Sequence, residues 1–410
     1  MSQKMEYFYY ENGYALEKDL IQTTTWKEIY LDRLFHNLDI FRSRVGPDRK
    51  ILLPVKANAY GHGLIAVAQA LQSRLQNYNK TIEDYDRCSY WLGVANLLEG
   101  ITLRRHGIVI PILVLGPTNV HALSIYKEHN LRPTVASLPE LNAVLEAFAK
   151  QEIEPFPYHI KIDTGMGRLG IVMPELENLL KTLHSYAGLG PEGIYSHLAT
   201  ADEPKDDHAQ NQIENFYQMR ERIEKSGLRV AMWHLANSGG LLNYENIFWD
   251  MVRPGIASYG YYPSESSQQK ALQNSVNLQP VMELKSRVSS YKTLPPGHGV
   301  SYGKTFVTEK PSQMSGVPMG YGDGFPRILS NDWPVLFEGD LYPIRGRVSM
   351  DQIVIEASPF GPKVGDVVTI LGGDDHHSLW ADVWAQKLNT IPYEVLCGFS
   401  ARVPMIYYSQ

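Results

Sequence analysis

The sequence contains very little cysteine, no long apolar run and no excess of positive charge. Only Cys88 and Cys397 occur among 410 residues, which excludes a framework of disulfides. No run of about 18 apolar residues is found, so we expect no membrane-spanning helix. The formal net charge of −6 argues against a nucleic-acid surface, which needs clustered Lys and Arg. Because the first twenty residues also lack the apolar core of a signal peptide, we expect a cytoplasmic protein.

The composition is that of an ordinary globular protein, with 44% hydrophobic and 20% charged residues. A chain of 410 residues is too long for one average domain, so two domains are expected. A protein of this kind has a catalytic or ligand-binding function.

The first two thirds of the chain alternate short apolar segments with amphipathic helical patterns. Eight such segments are predicted as strands: 51–55, 90–95, 111–116, 132–136, 158–162, 193–198, 231–236 and 249–255. Eight strand–helix units in about 225 residues match the size of a (β/α)8 barrel, whereas an open doubly wound sheet more often has five or six strands. We therefore predict an α/β fold that begins with a TIM barrel over residues 31–275.

Beyond residue 275 the pattern becomes mainly that of strands bounded by Gly and Pro. Strand-like runs lie at 281–291, 333–339, 343–350, 352–358 and 364–373, and only 382–390 is predicted as a helix. We predict a mainly β domain over residues 276–410. Residues 1–30 are expected to form an arm or an opening strand that packs against it.

Functional residues of a barrel cluster where strands end and the following loops begin. Here these positions supply two lysines, two arginines, a histidine and a tyrosine, which would make a cationic pocket that suits an anion. The residues at the strand ends are Lys56, Tyr60, Lys161, Arg168, His197, Asn237, Ser238, Arg253, Gly255 and Ile256.

Two of these segments are candidates for a phosphate site. HLANSGG follows the seventh strand and RPGI follows the eighth, and barrels often bind phosphate after these two strands. Amides at a helix start bind phosphate well. Taken alone, ANSGG fits equally well an ordinary helix cap and turn.

Lys56, in ILLPVKANAYGHG, has three interpretations: a phosphate clamp, an ion-pair partner or a reactive amine. Beside a phosphate site, a lysine can bind the aldehyde of pyridoxal 5'-phosphate covalently. Arg253 could then face the pyridine nitrogen of that cofactor. Since arginine keeps its proton at neutral pH, the ring nitrogen would stay unprotonated. Such a site favours proton exchange at Cα over transamination.

The motif VKANAYGHG resembles the cofactor-lysine motif of the alanine racemases. Eight further segments resemble that family in the same order: KIDTGMGRLG, YSHLATADE, HLANSGG, VRPGI, GVSYGKTF, GYGDGF, GRVSMDQ and IPYEVLCGFSARVP. The resemblance covers about residues 25–405. It implies a barrel followed by a β domain, pyridoxal 5'-phosphate as cofactor, and alanine as substrate.

The resemblance also implies roles for individual residues. Lys56 would hold the cofactor and act as the base on one face of Cα, and Tyr302 of the partner subunit would act on the other face. Arg168, together with Met350 of the partner subunit, would bind the substrate carboxylate. Lys161 resembles a lysine that is often carbamylated in this family. The residues implied at the cofactor are Tyr60, His197, Asn237, Ser238, Arg253, Gly255, Ile256 and Tyr393, with His197 supporting Arg253. These roles imply a homodimer with shared active sites.

The sequence departs from the family at Ser349, where the family often has Cys before its Met–Asp pair. Alternative functions are a racemase for serine or a basic amino acid, a barrel decarboxylase, and a non-enzymatic cofactor carrier. The SYGK and SMDQ segments disfavour the decarboxylase, and the β domain disfavours the carrier. Supply of D-alanine for peptidoglycan is the expected role.

The remaining polar residues are assigned structural roles. His234 is expected to satisfy a hydrogen bond at its strand end, Asp323 to fix its loop, and Cys397 to be buried. The sequence DDHH at 374–377 is expected to be a solvated turn, and we predict no metal site.

Overall fold

The computed structural model describes residues 5–9, 22, 24–76, 89–203 and 207–409. Cys88 and the parts of the predicted amino-terminal arm at residues 1–4, 10–21 and 23 lie outside the described residues. The chain divides into two compact units. The barrel unit comprises residues 36–59 and 64–278, and the β unit comprises residues 1–35, 60–63 and 279–410.

The barrel unit contains a closed sheet of eight parallel strands. These are β1 Lys50–Pro54, β2 Tyr90–Val94, β3 Ile112–Pro117, β4 Leu131–Val135, β5 His159–Asp163, β6 Gly193–Tyr195, β7 Met232–His234 and β8 Met251–Val252. Each strand pairs with the next in the chain, and Met251 of β8 pairs with Lys50 of β1, which closes the barrel. A short strand, Ile171–Val172, pairs with β5 outside the barrel. The predicted (β/α)8 fold is confirmed.

Helices follow the strands, and most bury one apolar face. They are α1 Leu31–Val45, α2 Leu64–Gln76, α3 Leu97–Arg105, α4 Leu123–Glu128, α5 Leu138–Ala149, α6 Leu176–Ser185, α7 His208–Lys225, α8 Ser238–Asn243 and α9 Glu265–Gln273. Side-chain caps begin several of them: Asn96 accepts from the amide of Glu99, and Ser137 accepts from that of Glu140.

The barrel interior is unusually polar. Apolar packing comes from Leu52, Trp91, Leu113, Tyr195, Met232 and Met251. Between these side chains lie His159, His234, Lys161 and Arg253, all buried. Since barrel interiors are normally filled by branched aliphatic residues, the polar side chains indicate that the interior does more than pack.

Three sheets occur among the described residues of the β unit. The largest has the strand order Met5–Tyr9, Met405–Ser409, Thr25–Tyr30, Met282–Arg287, Val367–Gly373, Pro334–Phe337 and Asp340–Pro343, with Ser378–Leu379 paired to Val367–Gly373. A second sheet joins Ser290–Leu294, Ser312–Val317 and Ile353–Ala357, and a third pairs Gly299–Val300 with Phe306–Val307. Two strands from the first thirty residues therefore belong to the largest sheet.

The structure corrects three predictions for this unit. Residues 281–291 form parts of two strands that lie in different sheets. Most of 343–350 is irregular, because the amides of Gly346 and Val348 bond to the side chains of Asn331 and Ser330 instead of a neighbouring strand. Besides the predicted helix, found at Ala381–Leu388, a second one spans Pro392–Cys397, too short to show a helical period.

Within the described residues, no helix is long and apolar enough to cross a bilayer. No group of three or more His, Cys, Asp or Glu that could hold a metal ion occurs there either. Asp374 accepts hydrogen bonds from the amides of His376 and His377, so the DDHH sequence forms a turn.

Candidate active site

Lys56 begins a left-handed turn directly after the first barrel strand. The φ and ψ angles are 52° and 51° at Ala57, 55° and 45° at Asn58, and 53° and 50° at Ala59. Tyr60 and Gly61 also have positive φ angles, of 54° and 82°. Each left-handed non-glycine residue costs about 1–2 kcal/mol, so the surrounding structure must hold this turn in place. No pattern in the sequence predicts this turn.

Side chains from helix α3 and from the turn itself hold the turn in place. Oε1 of Glu99 accepts from the amide of Ala57 at 2.8 Å, and Oε2 accepts from that of Ala95 at 2.6 Å. Oδ1 of Asn58 accepts from the amide of Leu64 at 2.7 Å. Sequence reasoning did not select Glu99, although its spacing from the capping residue Asn96 was a visible signal.

A buried lysine lies within β5 and a buried arginine directly follows β8. Lys161 is 3% exposed and Arg253 is 5% exposed. Burial, together with the charge of Arg253, lowers the pKa of Lys161 to about 7. The Nζ atom of Lys161 has no hydrogen-bond partner and lies 5.2 Å from the centre of the Tyr195 ring. A buried, largely neutral amine with unused hydrogen-bonding capacity can react as a nucleophile.

The guanidinium of Arg253 is held by three hydrogen bonds. It donates to Nδ1 of His234 at 2.8 Å, to the carbonyl of Ser196 at 2.6 Å and to that of Leu235 at 3.0 Å. Burial lowers the pKa of Arg253 to about 10, so the group remains charged at neutral pH. His234 thus makes the hydrogen bond predicted for it at the strand end. The supporting role predicted for His197 stays a prediction.

His197 is a neutral, partly buried imidazole. Burial and the charge of Arg253 hold its pKa well below the ordinary value. Its Nε2 lies 3.5 Å from the side-chain nitrogen Nδ2 of Asn237, and its backbone carbonyl accepts from Nε2 of Gln212 at 2.9 Å. His197, which follows β6, therefore lies beside Asn237, which follows β7.

The loops after β7 and β8 meet as the sequence predicted. Oδ1 of Asn237 accepts from the amide of Gly240 at 2.9 Å and caps α8, so the capping interpretation of ANSGG is confirmed, while the phosphate interpretation stays a prediction. Oγ of Ser238 accepts from the amide of Ala257 at 3.3 Å. Gly255 precedes the 3-10 turn Ile256–Tyr259. Residues from both loops thus lie beside one another at the carboxyl end of the barrel.

Arg168 lies in the loop after β5, and its side chain is exposed. The carboxylate of Asp163 organises that loop by accepting from the amides of Gly165 and Met166 at 2.8 Å and from that of Arg168 at 3.1 Å. Lys56 and Arg253 therefore directly follow barrel strands, whereas Lys161 lies within β5 and Arg168 in the loop after it. The cationic pocket inferred from the sequence stays a prediction.

In the β unit, the rings of Tyr60 and Tyr393 lie side by side with centroids 5.8 Å apart. Burial, with smaller contributions from Tyr393 and Cys397, raises the pKa of Tyr60, so it stays a neutral hydroxyl donor. Next to it, Gly61 has no room for a side chain, because a Cβ would lie 2.2 Å from the carbonyl oxygen of Leu396. Cys397 is exposed, so its predicted burial was wrong.

Tyr302 and Met350 are the most solvent-accessible of the predicted site residues in the β unit, with 70% and 51% of their surfaces exposed. Asp323 fixes its own loop as predicted, by accepting from the amide of Gly320 at 2.9 Å. Exposed aromatic and thioether side chains are suited to contact a second molecule.

The arrangement of fold and cationic residues has close parallels among known proteins. The alanine racemase N-terminal domain family matches residues 29–263, and the alanine racemase C-terminal domain family matches residues 281–407. The chain belongs to the alanine racemase family. As a member of this family it is an enzyme of the isomerase class.

Individual alanine racemases align with nearly the whole chain. Alanine racemase 2 of Caldanaerobacter subterraneus subsp. tengcongensis is 39% identical over 382 residues, covering 93% of this chain and 94% of the relative. The structure of the Clostridium difficile 630 enzyme has a TM-score of 0.82 and 35% identity, and covers 94% of this chain and 97% of that one.

Two further solved alanine racemases were determined with bound molecules. The Bacillus anthracis enzyme, with bound L-Ala-P, has a TM-score of 0.82 at 33% identity, with 94% of this chain and 95% of that chain covered. The Bartonella henselae enzyme, with covalently bound pyridoxal phosphate, has a TM-score of 0.79 at 28% identity, with 94% and 99% covered.

Proposed function

We propose that this enzyme interconverts L-alanine and D-alanine with pyridoxal 5'-phosphate as cofactor. The observation that carries the proposal is the buried pair Lys161 and Arg253 in the barrel. Arg253 follows β8, which pairs both with β1, the strand before Lys56, and with β7, the strand before α8. Family membership supports the same reaction. In the absence of an anion, burying the Arg253 guanidinium so close to the amine of Lys161 would be costly.

The residues present suit this cofactor. Lys56 would hold its aldehyde, and the loops at Asn237, Ser238, Gly255 and Ile256 would hold its phosphate together with Tyr60 and Tyr393. The unpartnered Nζ of Lys161 and the cationic surroundings favour an anionic group. When bound, the cofactor supplies an electron sink for negative charge at Cα.

Two bases on opposite faces of Cα are required to invert a stereocentre, since one removes the proton and the other supplies it. We assign these roles to Lys56 and to Tyr302 of the partner subunit. Arg168, together with Met350 of the partner subunit, would hold the substrate carboxylate. The exposure of Tyr302 and Met350 supports their contribution to a site shared within a homodimer.

Arg253 would control the chemistry by facing the ring nitrogen of the cofactor, with His197 nearby. A guanidinium only donates hydrogen bonds, so it leaves that nitrogen unprotonated and weakens the electron sink. Negative charge then remains closer to Cα. Proton return to Cα is favoured over proton transfer elsewhere on the cofactor, which would lead to transamination.

Lys161 is proposed to carry a carbamate that orients Arg168. Carbamate formation joins the neutral amine nitrogen to the carbon of CO2 and releases one proton. The pKa of about 7, caused first by burial, keeps a large fraction of this amine neutral at physiological pH. The added carboxylate would place a negative charge near the guanidinium groups of Arg253 and Arg168, whose charges both act on Lys161.

In the cell, the enzyme would be cytoplasmic and supply D-alanine for peptidoglycan. The alternative is a racemase of the same family that acts on serine or on a wider range of amino acids. Tyr302 and Tyr393 would narrow the entry to the active site, which would favour a substrate with the small side chain of alanine.

The decisive experiment incubates the purified protein, with added pyridoxal 5'-phosphate, separately with D-alanine, D-serine and D-lysine. We expect absorbance near about 420 nm from the lysine-bound cofactor and formation of L-alanine well above the other products. Faster turnover of serine would favour the alternative. Absence of both cofactor absorbance and any L-amino acid would refute the proposal.

A further inference from the structure

A continuous chain of buried polar side chains leads from Arg253 through the barrel interior. Arg253 bonds to Nδ1 of His234 at 2.8 Å, and Nε2 of His234 lies 3.0 Å from Nδ1 of His159. Nε2 of His159 lies 3.2 Å from Oε2 of Glu192, which also accepts from Arg132 at 3.1 Å. This chain of hydrogen bonds thus joins the end of β8 to residues at or beside the starts of β4, β5 and β6.

The donor–acceptor chemistry fixes a direction along this chain. A guanidinium can only donate, so Nδ1 of His234 must accept and its proton must lie on Nε2. That proton is then directed at His159, whose Nδ1 must accept and whose own proton must lie on Nε2. The last proton points to the carboxylate of Glu192. Every hydrogen bond is satisfied only if both imidazoles are neutral and carry the proton on Nε2.

The surroundings favour these protonation states. Burial lowers the pKa of His159 and holds that of His234 well below its ordinary value, so both rings are neutral. Burial alone would raise the pKa of Glu192. The hydrogen bond from His159 and the charge of Arg132 outweigh it and lower the pKa, so the carboxylate is ionised.

Packing keeps the rings from turning. The Tyr195 ring stacks on His234 with centroids 4.7 Å apart and planes inclined by 12°. The Trp91 ring lies 5.7 Å from that of His159. Gly193 passes so close that a Cβ there would lie 2.6 Å from the His159 ring. Both imidazoles are therefore confined to one orientation.

Among the described residues, no carboxylate forms an ion pair with Arg253. Its partners are two carbonyls and His234, so the nearest anionic end of its hydrogen-bond chain is Glu192, two imidazoles away. Hydrogen bonds linked in a chain polarise one another in a low-dielectric interior. Through this chain, the negative charge of Glu192 acts on the buried guanidinium of Arg253.

We propose that Glu192 and His159 are positioning residues for Arg253: they fix His234 as a hydrogen-bond acceptor and thereby hold the guanidinium in place. The effect on catalysis rests on the proposed function, because Arg253 acts there on the cofactor. The protonation pattern itself does not depend on that function.

Neutron diffraction from crystals of the perdeuterated wild-type holoenzyme tests the pattern directly. We expect deuterium on Nε2 and none on Nδ1 in both His159 and His234. Deuterium on Nδ1 of either ring would overturn the proposal. Since no variant is involved, this result stands whether or not the enzyme racemises alanine.

Kinetics of Glu192→Gln test the consequence. We expect kcat for alanine racemisation to fall roughly tenfold, as is usual when a residue that orients a site group is altered, with KM and the dissociation constant of pyridoxal 5'-phosphate changed less than twofold. Glu192→Asp, which keeps the charge, should recover part of kcat. The control Glu146→Gln alters an exposed ion pair with Lys150 and should match the wild type.

A kcat of Glu192→Gln within twofold of the wild type would refute the positioning role, as would equal losses in both Glu192 variants. If Glu192→Gln does not fold, the kinetics of Glu192→Asp and the neutron result test the positioning role instead. Absence of racemisation by the wild type itself would instead refute the proposed function and leave the hydrogen-bond chain intact.

Discussion

The amide of Ala57 donates a hydrogen bond to Oε1 of Glu99 across 2.8 Å. The other oxygen of this carboxylate accepts from the amide of Ala95 at 2.6 Å, directly after β2. One side chain thus fixes the backbone next to Lys56 to the neighbouring strand end. The position of the proposed base depends on a residue of helix α3 that has no chemical role of its own.

Glu99→Gln should destabilise this connection. An amide has only one oxygen, so its NH2 group must face one of the two backbone donors, which loses a hydrogen bond. We expect the free energy of unfolding in urea to fall by about 1–3 kcal/mol, the cost of an unsatisfied donor. Glu146→Gln, on the exposed face of α5, should change it by less than about 0.5 kcal/mol. Equal effects of the two substitutions would contradict the role of Glu99.

Ala57→Gly should cost little stability, unlike most substitutions of alanine by glycine. Glycine relieves about 1 kcal/mol of left-handed strain at this position, which offsets the added entropy of the unfolded chain. We expect a change below about 0.5 kcal/mol in the free energy of unfolding.

The matched control is Ala143→Gly, in the middle of the right-handed helix α5. It should lose about 1 kcal/mol, the usual difference in helix propensity. If Ala57→Gly lost as much as Ala143→Gly in the same urea titration, the turn would carry no backbone strain.

Lys161 makes stability rise with pH. Its pKa is about 7 in the folded protein against an ordinary value of 10.5. Between these values the unfolded chain binds the proton and the folded protein does not, so raising the pH favours folding. Lys161→Met should flatten the dependence by up to about 1.4 kcal/mol per pH unit in that window.

The measurement is urea unfolding from pH 7 upward in CO2-free buffer, which prevents carbamate formation. Lys181→Met, an exposed lysine on α6, serves as control and should keep the wild-type slope. With 13C-bicarbonate present, the wild type should show a carbamate signal by 13C NMR that Lys161→Met lacks. An identical signal from both proteins would place the carbamate elsewhere.

Shared active sites predict recovery of activity in mixed dimers. Lys56→Met and Tyr302→Phe homodimers should each be inactive. In a heterodimer, one site has Lys56 from one subunit and Tyr302 from the other, so it has both bases. After random exchange at equal amounts, about one quarter of the wild-type activity should return, because half of the dimers have one complete site of two.

The exchange is followed by racemisation and by native mass spectrometry of the heterodimer. A double variant, Lys56→Met with Tyr302→Phe, mixed with wild type provides the control with the same dimer statistics. Persistent inactivity of the mixed single variants, with heterodimers formed, would mean that Tyr302 acts within its own chain.

The sequence predicted all eight barrel strands and the rim on which the cationic residues lie. Runs such as ILLPV and YHIKI are buried on both faces, and that burial gives continuous apolar segments that can be recognised one strand at a time. The loops at HLANSGG and RPGI could be placed together because parallel strands end at the same edge of a barrel.

The sequence did not predict the irregular and short parts of the β unit. Residues 343–350 have the composition of a strand, but their amides bond to Asn331 and Ser330. The helix at Pro392–Cys397 is too short for a hydrophobic period to be visible. For residues 343–350 the deciding partners lie outside the local window.

By itself, the sequence determined the barrel, the order of its strands, the family and the residues that end the strands, because these depend on local periodicity and motif. Tertiary structure alone decided the left-handed turn at Lys56, the burial that lowers the pKa of Lys161, and the hydrogen bonds from Arg253 to Glu192. These features depend on distances between residues far apart in the chain. A pKa or a hydrogen-bond direction exists only after folding has removed water and brought the partners into contact.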